Sequence, residues 1–261
     1  MATYQPETLN LSILLPAYNK IRLLSAGKYA GVPEYINVRG MTVKEIKQLT
    51  SSKVIDASAF DLILRNCIKE QIDLSKLLVQ DYNWIVLNVR LQTSGSKASG
   101  GLYCSNSRCG TKYKFEYNLT DSVEASYSED TIEETKSVEL PRISELMGSV
   151  VSLEVKQFTR GDFVKIENSL KAAKDDATRT GMPLSKFPFS ELLKVHIKKI
   201  SGFTQTVTAD QLVDFLTPDE AELIVGAFNG TTMKLEGKAP ATCPVCGTKT
   251  DYEIPFTDLF F

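Results

Sequence analysis

Four of the five cysteines in this 261-residue chain occur as two closely spaced pairs, and thiolate sulfur is a preferred ligand of structural zinc. The first pair is Cys104 and Cys109, and the second is Cys243 and Cys246. Two cysteines separated by two to four residues form a knuckle, a tight turn from which both sulfur atoms point to one place. Two knuckles supply the four sulfurs of a tetrahedral zinc site. The spacing therefore predicts one structural zinc ion, bound by residues from the middle and the end of the chain.

The residues after each knuckle repeat one order, which indicates two copies of a small unit. Both second cysteines are followed by Gly-Thr-Lys, and Gly110 and Gly247 suit a turn residue with positive φ. Alternating apolar residues then predict a β-strand in each copy. These residues are Tyr113, Phe115, Tyr117 and Leu119 in the first copy, and Tyr252, Ile254 and Phe256 in the second. A knuckle followed by such a strand is typical of a zinc-ribbon-like β-hairpin.

The spacing leaves two other states of these cysteines open. One is a pair of disulfides, Cys104–Cys109 and Cys243–Cys246, and the other is a set of reduced thiols without metal. The sequence begins without the charged and then apolar pattern of a secretory signal, so we expect a reducing cytoplasm. The fifth cysteine, Cys67, lies on the apolar face of a predicted helix and is interpreted as a buried small hydrophobic residue.

Composition and charge exclude several classes of function. Apolar residues make up 43% and charged residues 24% of the chain, as in ordinary globular proteins. The net charge of −2 and the pI near 5.7 argue against a nucleic-acid partner, which usually requires a basic face. No apolar run is long enough to span a membrane, so we expect no membrane partner.

Nothing in the sequence indicates a catalytic site, and the chain is predicted to be non-enzymatic. His196 is the single histidine, so neither a histidine-based catalytic metal set nor a Ser-His-Asp arrangement can form. Its place between lysines predicts a structural role at the surface or half-buried. The glycines at 95, 100 and 101 precede a predicted strand and not a helix, unlike those of a phosphate-binding loop.

The elements that must position the knuckles predict an α+β fold. We expect helix-rich lobes joined by a zinc-ribbon-like β-hairpin unit, formed from the two knuckles that are distant in sequence. Predicted strands cover 35–39 and 150–156, and one predicted helix carries the apolar face of Phe60, Ile63, Leu64, Cys67 and Ile68. Helices are predicted to begin at Thr42, Ser58, Asp81, Thr159, Phe189, Thr208 and Thr217. The fourth should end near Asp175 and the fifth near Ile200, while Trp84 is interpreted as core packing.

The same signals divide the chain into six parts. They are an extended N-terminal arm with short strands (1–40), a helical domain (41–95), the first knuckle and strand (96–121), an acidic linker (122–137), strands plus a helical domain (138–238), and the second knuckle, strand and apolar C-terminus (239–261). The arm, with a possible strand at 11–16, can lie on a neighbouring protein or form a sheet edge in its own domain. The apolar C-terminus, Phe256, Leu259, Phe260 and Phe261, can dock on its own domain or on a partner.

The order of several motifs resembles a known family. The run at 38–45 leads into a helix, and a second helix ends in Asn66-Cys67-Ile68. The run at 77–82 and an apolar helix with Arg90 then lead to the first knuckle. In this order the chain resembles the baseplate hub proteins of contractile-tailed bacteriophages, the T-even-type base plate proteins. The resemblance covers the first 120 residues best, and an insertion-like stretch fills 122–135.

This resemblance implies a structural subunit of the tail baseplate, in the hub or inner ring. Its implied partners are tail-hub, tail-tube initiator and wedge proteins, in a ring that holds several copies. The implied location is the virion tail, with the host cytoplasm as the place of assembly. Two alternatives remain open: a zinc-ribbon phage protein that binds nucleic acid or acts in transcription, and an assembly chaperone that is absent from the finished particle.

Overall fold

The computed structural model describes residues 15–51, 57–180, 188–228, 233–256 and 259. Helices and strands are mixed, and every strand pair in these ranges is antiparallel. This confirms a mixed helix and strand fold. The six-part domain division stays a prediction.

The N-terminal part packs a short hairpin against three helices. Strands β1 (Asn19–Arg22) and β2 (Tyr35–Val38) pair with each other, and α1 (Val43–Ser51), α2 (Ala57–Asn66) and α3 (Val79–Ser94) follow. Residues 19–22 and 35–38 therefore form a sheet within their own chain, whereas most of the predicted strand at 11–16 lies outside the described residues. The core under this hairpin includes Leu23, Ile36, Val38, Leu64, Cys67, Tyr82, Ile85, Val86 and Val89.

Two hairpins lie side by side beyond α3. One follows this helix in the chain, and the other is formed by residues 234–253. Strand β3 (Lys97–Tyr103) pairs with β4 (Lys112–Asn118). Strand β9 (Lys234–Thr242) pairs with β10 (Lys249–Glu253) on one side and with β5 (Val123–Ser126) on the other. Each of the two hairpins therefore places one cysteine knuckle at its turn.

The remaining residues form a second helical unit on a three-stranded sheet. The sheet has the order β6 (Thr135–Glu139), β7 (Ser152–Lys156) and β8 (Ile197–Ser201). The short helix α4 (Leu119–Ser122) precedes β5. The helices of the second unit are α5 (Pro141–Met147), α6 (Arg160–Thr180), α7 (Pro188–His196), α8 (Ala209–Val213) and α9 (Pro218–Gly226). The core of this unit includes Leu140, Val151, Leu153, Val155, Leu193, Leu212 and Ile224.

Arg160, at the start of α6, ties the second helical unit to the first. Its guanidinium is buried, donates to the carboxylate of Asp61 at 3.1 Å, and lies 4.4 Å from the centre of the Tyr82 ring. The hydroxyl of Tyr82 donates to the same carboxylate at 2.6 Å. This ion pair joins α2, α3 and α6 at one point.

Helix N-termini follow the sequence prediction where a capping side chain is present. Thr42 and Glu45 exchange side-chain and backbone hydrogen bonds ahead of α1. The same exchange occurs at the starts of α6, α8 and α9. Four of the seven predicted starts are thereby confirmed, because both partners of a cap lie within one turn.

Several predicted bounds are wrong. Helix α2 begins before Ser58, α3 begins two residues before Asp81, and α6 runs to Thr180 and not to Asp175. The helix predicted through Ile200 ends at His196, where the chain becomes strand β8. The stretch predicted as an acidic linker contains β5 and the start of β6, and its Ile132 is buried. In both stretches, pairing to a strand elsewhere in the chain overrides the local pattern.

The apolar C-terminus docks on its own chain as far as it is described. Phe256 and Leu259 are partly buried against a cluster of Leu87, Leu119, Ala239 and Ile254. The guanidinium of Arg90 donates to the carbonyl of Leu259 at 2.9 Å. Phe260 and Phe261 lie outside the described residues.

Candidate metal centre

Each pair of cysteines lies at the turn of an antiparallel hairpin. The last pair of residues in register before the first knuckle is Tyr103 and Lys112, and Cys104 and Cys109 lie between them. The hairpin of β9 and β10 has the same arrangement around Cys243 and Cys246. Two strands that end side by side therefore hold both sulfurs of a knuckle at one hairpin tip.

Backbone hydrogen bonds fix both turns. The N–H of Cys104 donates to the carbonyl of Thr111, and the N–H of Cys243 donates to the carbonyl of Thr248, each at 2.9 Å. Gly110 has φ of 57° and Gly247 has φ of 74°, a conformation that favours glycine. The prediction that these glycines are turn residues with positive φ is confirmed.

The structure brings all four predicted ligand residues together. Their Sγ atoms lie within 4.8 Å of one another, although they come from two hairpins. The Sγ atoms of Cys104 and Cys246 are 3.4 Å apart, and those of Cys109 and Cys243 are 3.9 Å apart. A tetrahedral zinc ion with bonds of about 2.3 Å requires sulfur separations of about 3.8 Å. This set of donors fits such an ion, whereas the two disulfides that the spacing allowed are not formed.

The sulfurs differ in exposure and in proton affinity. Cys104 and Cys243 are buried, Cys109 is half-buried and Cys246 is exposed. The hydroxyl and the backbone N–H of Thr248 lower the pKa of Cys246 to about 6. A backbone hydrogen bond from Asn106 lowers the pKa of Cys104, but burial and the neighbouring thiols outweigh it and raise that pKa to about 12. Since metals bind thiolates, proton loss from Cys246 comes readily and that from Cys104 requires a competing cation.

Two threonines that were not predicted from the sequence also belong to this centre. The hydroxyl of Thr111 lies 3.3 Å from Sγ of Cys109, and that of Thr248 lies 3.2 Å from Sγ of Cys246. Each lowers the pKa of its cysteine, together with a backbone hydrogen bond from the same residue. The signal was present in the repeated Gly-Thr-Lys, where Thr follows each second cysteine by two residues.

Aromatic side chains pack the two hairpins together below the sulfurs. Phe115 on β4 meets Tyr252 on β10 edge to face, with ring centres 5.2 Å apart, and Tyr117 lies 5.8 Å from the same tyrosine. A Cβ at Gly100 on β3 would lie 2.8 Å from the Phe115 ring and 3.1 Å from the Tyr252 ring, so glycine allows this close approach. At the tips, the hydroxyls of Ser105 and Thr250 lie 2.9 Å apart. The hairpins therefore dock along their length and meet at the four sulfurs.

The family described as T4 bacteriophage base plate protein matches residues 16–261, nearly the whole chain. The chain belongs to this family. It is therefore a structural component of a phage baseplate, located in the virion tail, and it assembles with other baseplate proteins. Comparison with curated proteins and with solved structures gave no match.

The other candidate residues of this baseplate protein have structural surroundings. His196 is 7% exposed, so its predicted place at the surface or half-buried is wrong. Its Nδ1 lies 3.0 Å from the carbonyl oxygen of Lys156, its ring stacks on Phe158, and burial lowers its pKa. Cys67 is fully buried, and burial raises its pKa to about 12, which confirms it as a small hydrophobic residue. Membership in a structural family suggests a non-enzymatic protein.

Within the described ranges, no helix of the baseplate protein combines the length and the apolar character that crossing a bilayer requires.

Proposed function

We propose that this chain is a subunit of the baseplate hub or inner baseplate, stabilised by structural zinc bound to Cys104, Cys109, Cys243 and Cys246. The observation that carries the metal proposal is the meeting of four Sγ atoms within 4.8 Å from two hairpins distant in sequence. The resemblance of the first 120 residues to baseplate hub proteins supports the place in the particle. When bound, zinc supplies a tetrahedral link with no redox chemistry of its own.

The fold around the sulfurs supports a role in holding parts of the chain together. The first hairpin follows α3 directly, and the N–H of Leu119 at its end donates to the carbonyl of Ser96 at 2.8 Å. The second hairpin packs on the same helix through Ala239 and Ile254, which share a cluster with Leu87 of α3. In the proposed zinc-ribbon-like unit, the four thiolates join these hairpins at their tips, and the aromatic contacts join them along their strands.

A rigid unit of this kind suits a structural protein that acts by packing against its neighbours and not by catalysis. We infer that it packs against tail-hub, tail-tube initiator and wedge proteins, in several copies around a ring, after assembly in the host cytoplasm. The acidic balance of the chain supports protein partners over nucleic acid. Near the knuckles the sequence carries only Arg108, Lys112, Lys114 and Lys249 as basic residues.

Metal content and spectroscopy test the zinc proposal directly. Protein purified without chelator should contain one zinc per chain by plasma mass spectrometry, and a cobalt-substituted sample should show the absorption of tetrahedral thiolate ligation. A Cys243→Ser variant should lose both signals. The matched control is Cys67→Ala, which removes the cysteine outside the cluster and should retain both. Less than a quarter of a zinc ion per wild-type chain would refute the proposal.

The place in the particle requires a separate experiment on phage. Mass spectrometry of purified virions should find the chain in several copies, and cross-linking should join it to hub or inner wedge proteins. Its absence from finished virions would identify an assembly chaperone instead. A salt-dependent complex with random DNA or RNA would favour the nucleic-acid alternative.

A further inference from the structure

The second helical unit carries an apolar groove far in sequence from the cysteines. The groove, here called the α5–α8 groove, is a cavity of about 410 Å³ between α5, the segment before α8, and α8 itself. Ile143 and Leu212 belong to the buried core, with 7% and 4% exposure, and form its floor. Phe203 and Val207 are partly buried and line it from the segment before α8.

Large apolar side chains on the rim of the groove are exposed to solvent. Leu146 is 72% exposed, Met147 is 43% exposed and Phe215 is 75% exposed, and all three line the same cavity. Isolated exposed apolar residues are common, but a cluster around a concave site usually marks an interaction surface. Within the described ranges, no packing contact covers these three side chains, so their exposure requires another explanation.

The rim is held in place by hydrogen bonds. The guanidinium of Arg142 donates to the carbonyl of Phe215 at 2.8 Å and to the carboxylate of Glu220 at 2.9 Å. Glu220 is buried and also completes the N-terminal cap of α9. Gly148, with φ of 64°, ends α5 directly after Met147. The groove is thus preformed, which reduces the entropy that a binding partner would lose on ordering it.

The charges around the groove favour a basic partner. The two segments that build it, 138–151 and 202–216, contain four carboxylates and one guanidinium, that of Arg142. One of the four, Asp210, pairs with Lys194 of α7 at 3.0 Å. Arg142 is paired with Glu220, whereas the exposed Glu145 and Asp214 form no ion pair within the described ranges. These two carboxylates directly precede Leu146 and Phe215, the most exposed apolar residues of the rim.

We propose that the α5–α8 groove receives a segment of another baseplate subunit whose apolar side chains are flanked by lysine or arginine. Apolar side chains would fill the cavity, and the cations would lie against Glu145 and Asp214. Apolar burial supplies the affinity of such an interface, and the charge pattern selects the partner and its orientation. The proposal rests on membership in the baseplate family, and it depends on neither the zinc centre nor a hub position.

Photo-cross-linking in infected cells tests this proposal with the full chain. Benzoylphenylalanine is placed at position 215, and the control carries it at Leu62 on α2, which is 65% exposed. We expect a cross-link from position 215, and not from position 62, to a different baseplate subunit. Peptide mapping should place it at apolar residues adjacent to lysine or arginine. A cross-link only to a second copy of this chain, to an acidic segment, or to nothing above the control would overturn the proposal.

Charge reversal provides the second arm. Glu145→Lys combined with Asp214→Lys should reduce the yield of the cross-link about tenfold, because two attractive contacts become repulsive. Asp175→Lys, an exposed reversal on α6, should leave the yield unchanged. A yield that the double variant does not change would overturn the charge assignment and with it the proposal. Zinc content, measured on the same variants, stays at the wild-type value, so failure here is distinct from failure of the metal proposal.

Discussion

On the zinc proposal, loss of the metal should cost this protein about a third to all of its folding stability. Cys109 and Cys243 place their Sγ atoms 3.9 Å apart although 134 residues separate them. An unfolded chain that held the same ion through both knuckles would have to close that loop, at a cost of about 5 kcal/mol in the chain-entropy treatment of cross-links. The folded chain has already brought the knuckles together, so zinc favours it by about this amount. Domains are typically stable by about 5–15 kcal/mol.

The perturbation is Cys243→Ala, compared with wild type in zinc-buffered and in chelator-containing solution. Cys243 is 1% exposed, so its sulfur is held inside the centre and water cannot replace it without rearrangement. Urea denaturation followed by far-ultraviolet circular dichroism gives the free energy of unfolding in each condition. Wild type should gain about 5 kcal/mol on addition of zinc, and the variant should gain nothing measurable.

The control is Cys67→Ala, since Cys67 is the one cysteine outside the cluster. It is fully buried in the N-terminal core, so removal of its sulfur should lower stability with and without zinc alike. The increment that zinc provides should be the same as in wild type. An increment below about 1 kcal/mol in wild type, or one that survives in Cys243→Ala, would refute the loop-closure reasoning.

Three further predictions concern the scaffold. Glu45→Gln should lower the free energy of unfolding by about 3–5 kcal/mol in urea denaturation, because it leaves the buried guanidinium of Arg39 without the carboxylate that it contacts at 2.8 Å. The free energy of unfolding should fall as the pH drops below about 6.5, because burial lowers the pKa of His196 and the histidine of the unfolded chain therefore takes up a proton first. His196→Asn should flatten that part of the pH profile. Gly202→Ala should cost at least about 1–3 kcal/mol in thermal unfolding, since φ is 98° and a Cβ would overlap the carbonyl oxygen of Val150.

The predictions for Glu45 and Gly202 each have a matched control variant. Glu34→Gln removes the partner of Arg22 in a pair whose side chains are about 40% exposed (39% and 43%), and it should change stability by less than about 1 kcal/mol. Gly101→Ala adds a Cβ in open space, so a loss as large as that at Gly202 would argue against the clash. Besides burial, three groups act on the pKa of His196: the hydrogen bond with the Lys156 carbonyl and the carboxylate of Asp162 raise it, and the ammonium of Lys156 lowers it. A wild-type profile that stays flat between pH 7 and pH 5 would contradict that prediction.

The sequence was sufficient to predict those local structures whose hydrogen-bonding partners are neighbours in the chain. The caps at Thr42, Thr159, Thr208 and Thr217 are confirmed because donor and acceptor lie within one turn of helix. The same holds for the two knuckle turns and their glycines. The apolar face of α2 was also predictable, since its spacing alone defines one side of the helix.

Patterns whose meaning depends on a distant partner were misinterpreted. The polar residues 122–137 gave no local reason to expect strands, yet Val123–Ser126 pairs with β9 more than a hundred residues later. The backbone N–H of Ile132 donates to the carbonyl of Lys28, and the Ile132 side chain is buried in a cluster with Leu24, Leu78 and Met233. Residues 197–200 have apolar spacing that suits a helix, but β7 supplies the hydrogen bonds of a strand. A strand gains its stability from its neighbour, which the local sequence does not contain.

The candidate metal centre combines both kinds of information. The type and spacing of its cysteines, and the repeat that carries them, determined from sequence alone that two hairpin turns could each present two sulfurs. Only the tertiary structure decided that the two turns meet, because that contact depends on Phe115, Tyr252 and Gly100 packing one hairpin on the other and on α3 supporting both. Local geometry sets the direction of a side chain, whereas the distance between segments far apart in the chain is set by the packing of everything between them.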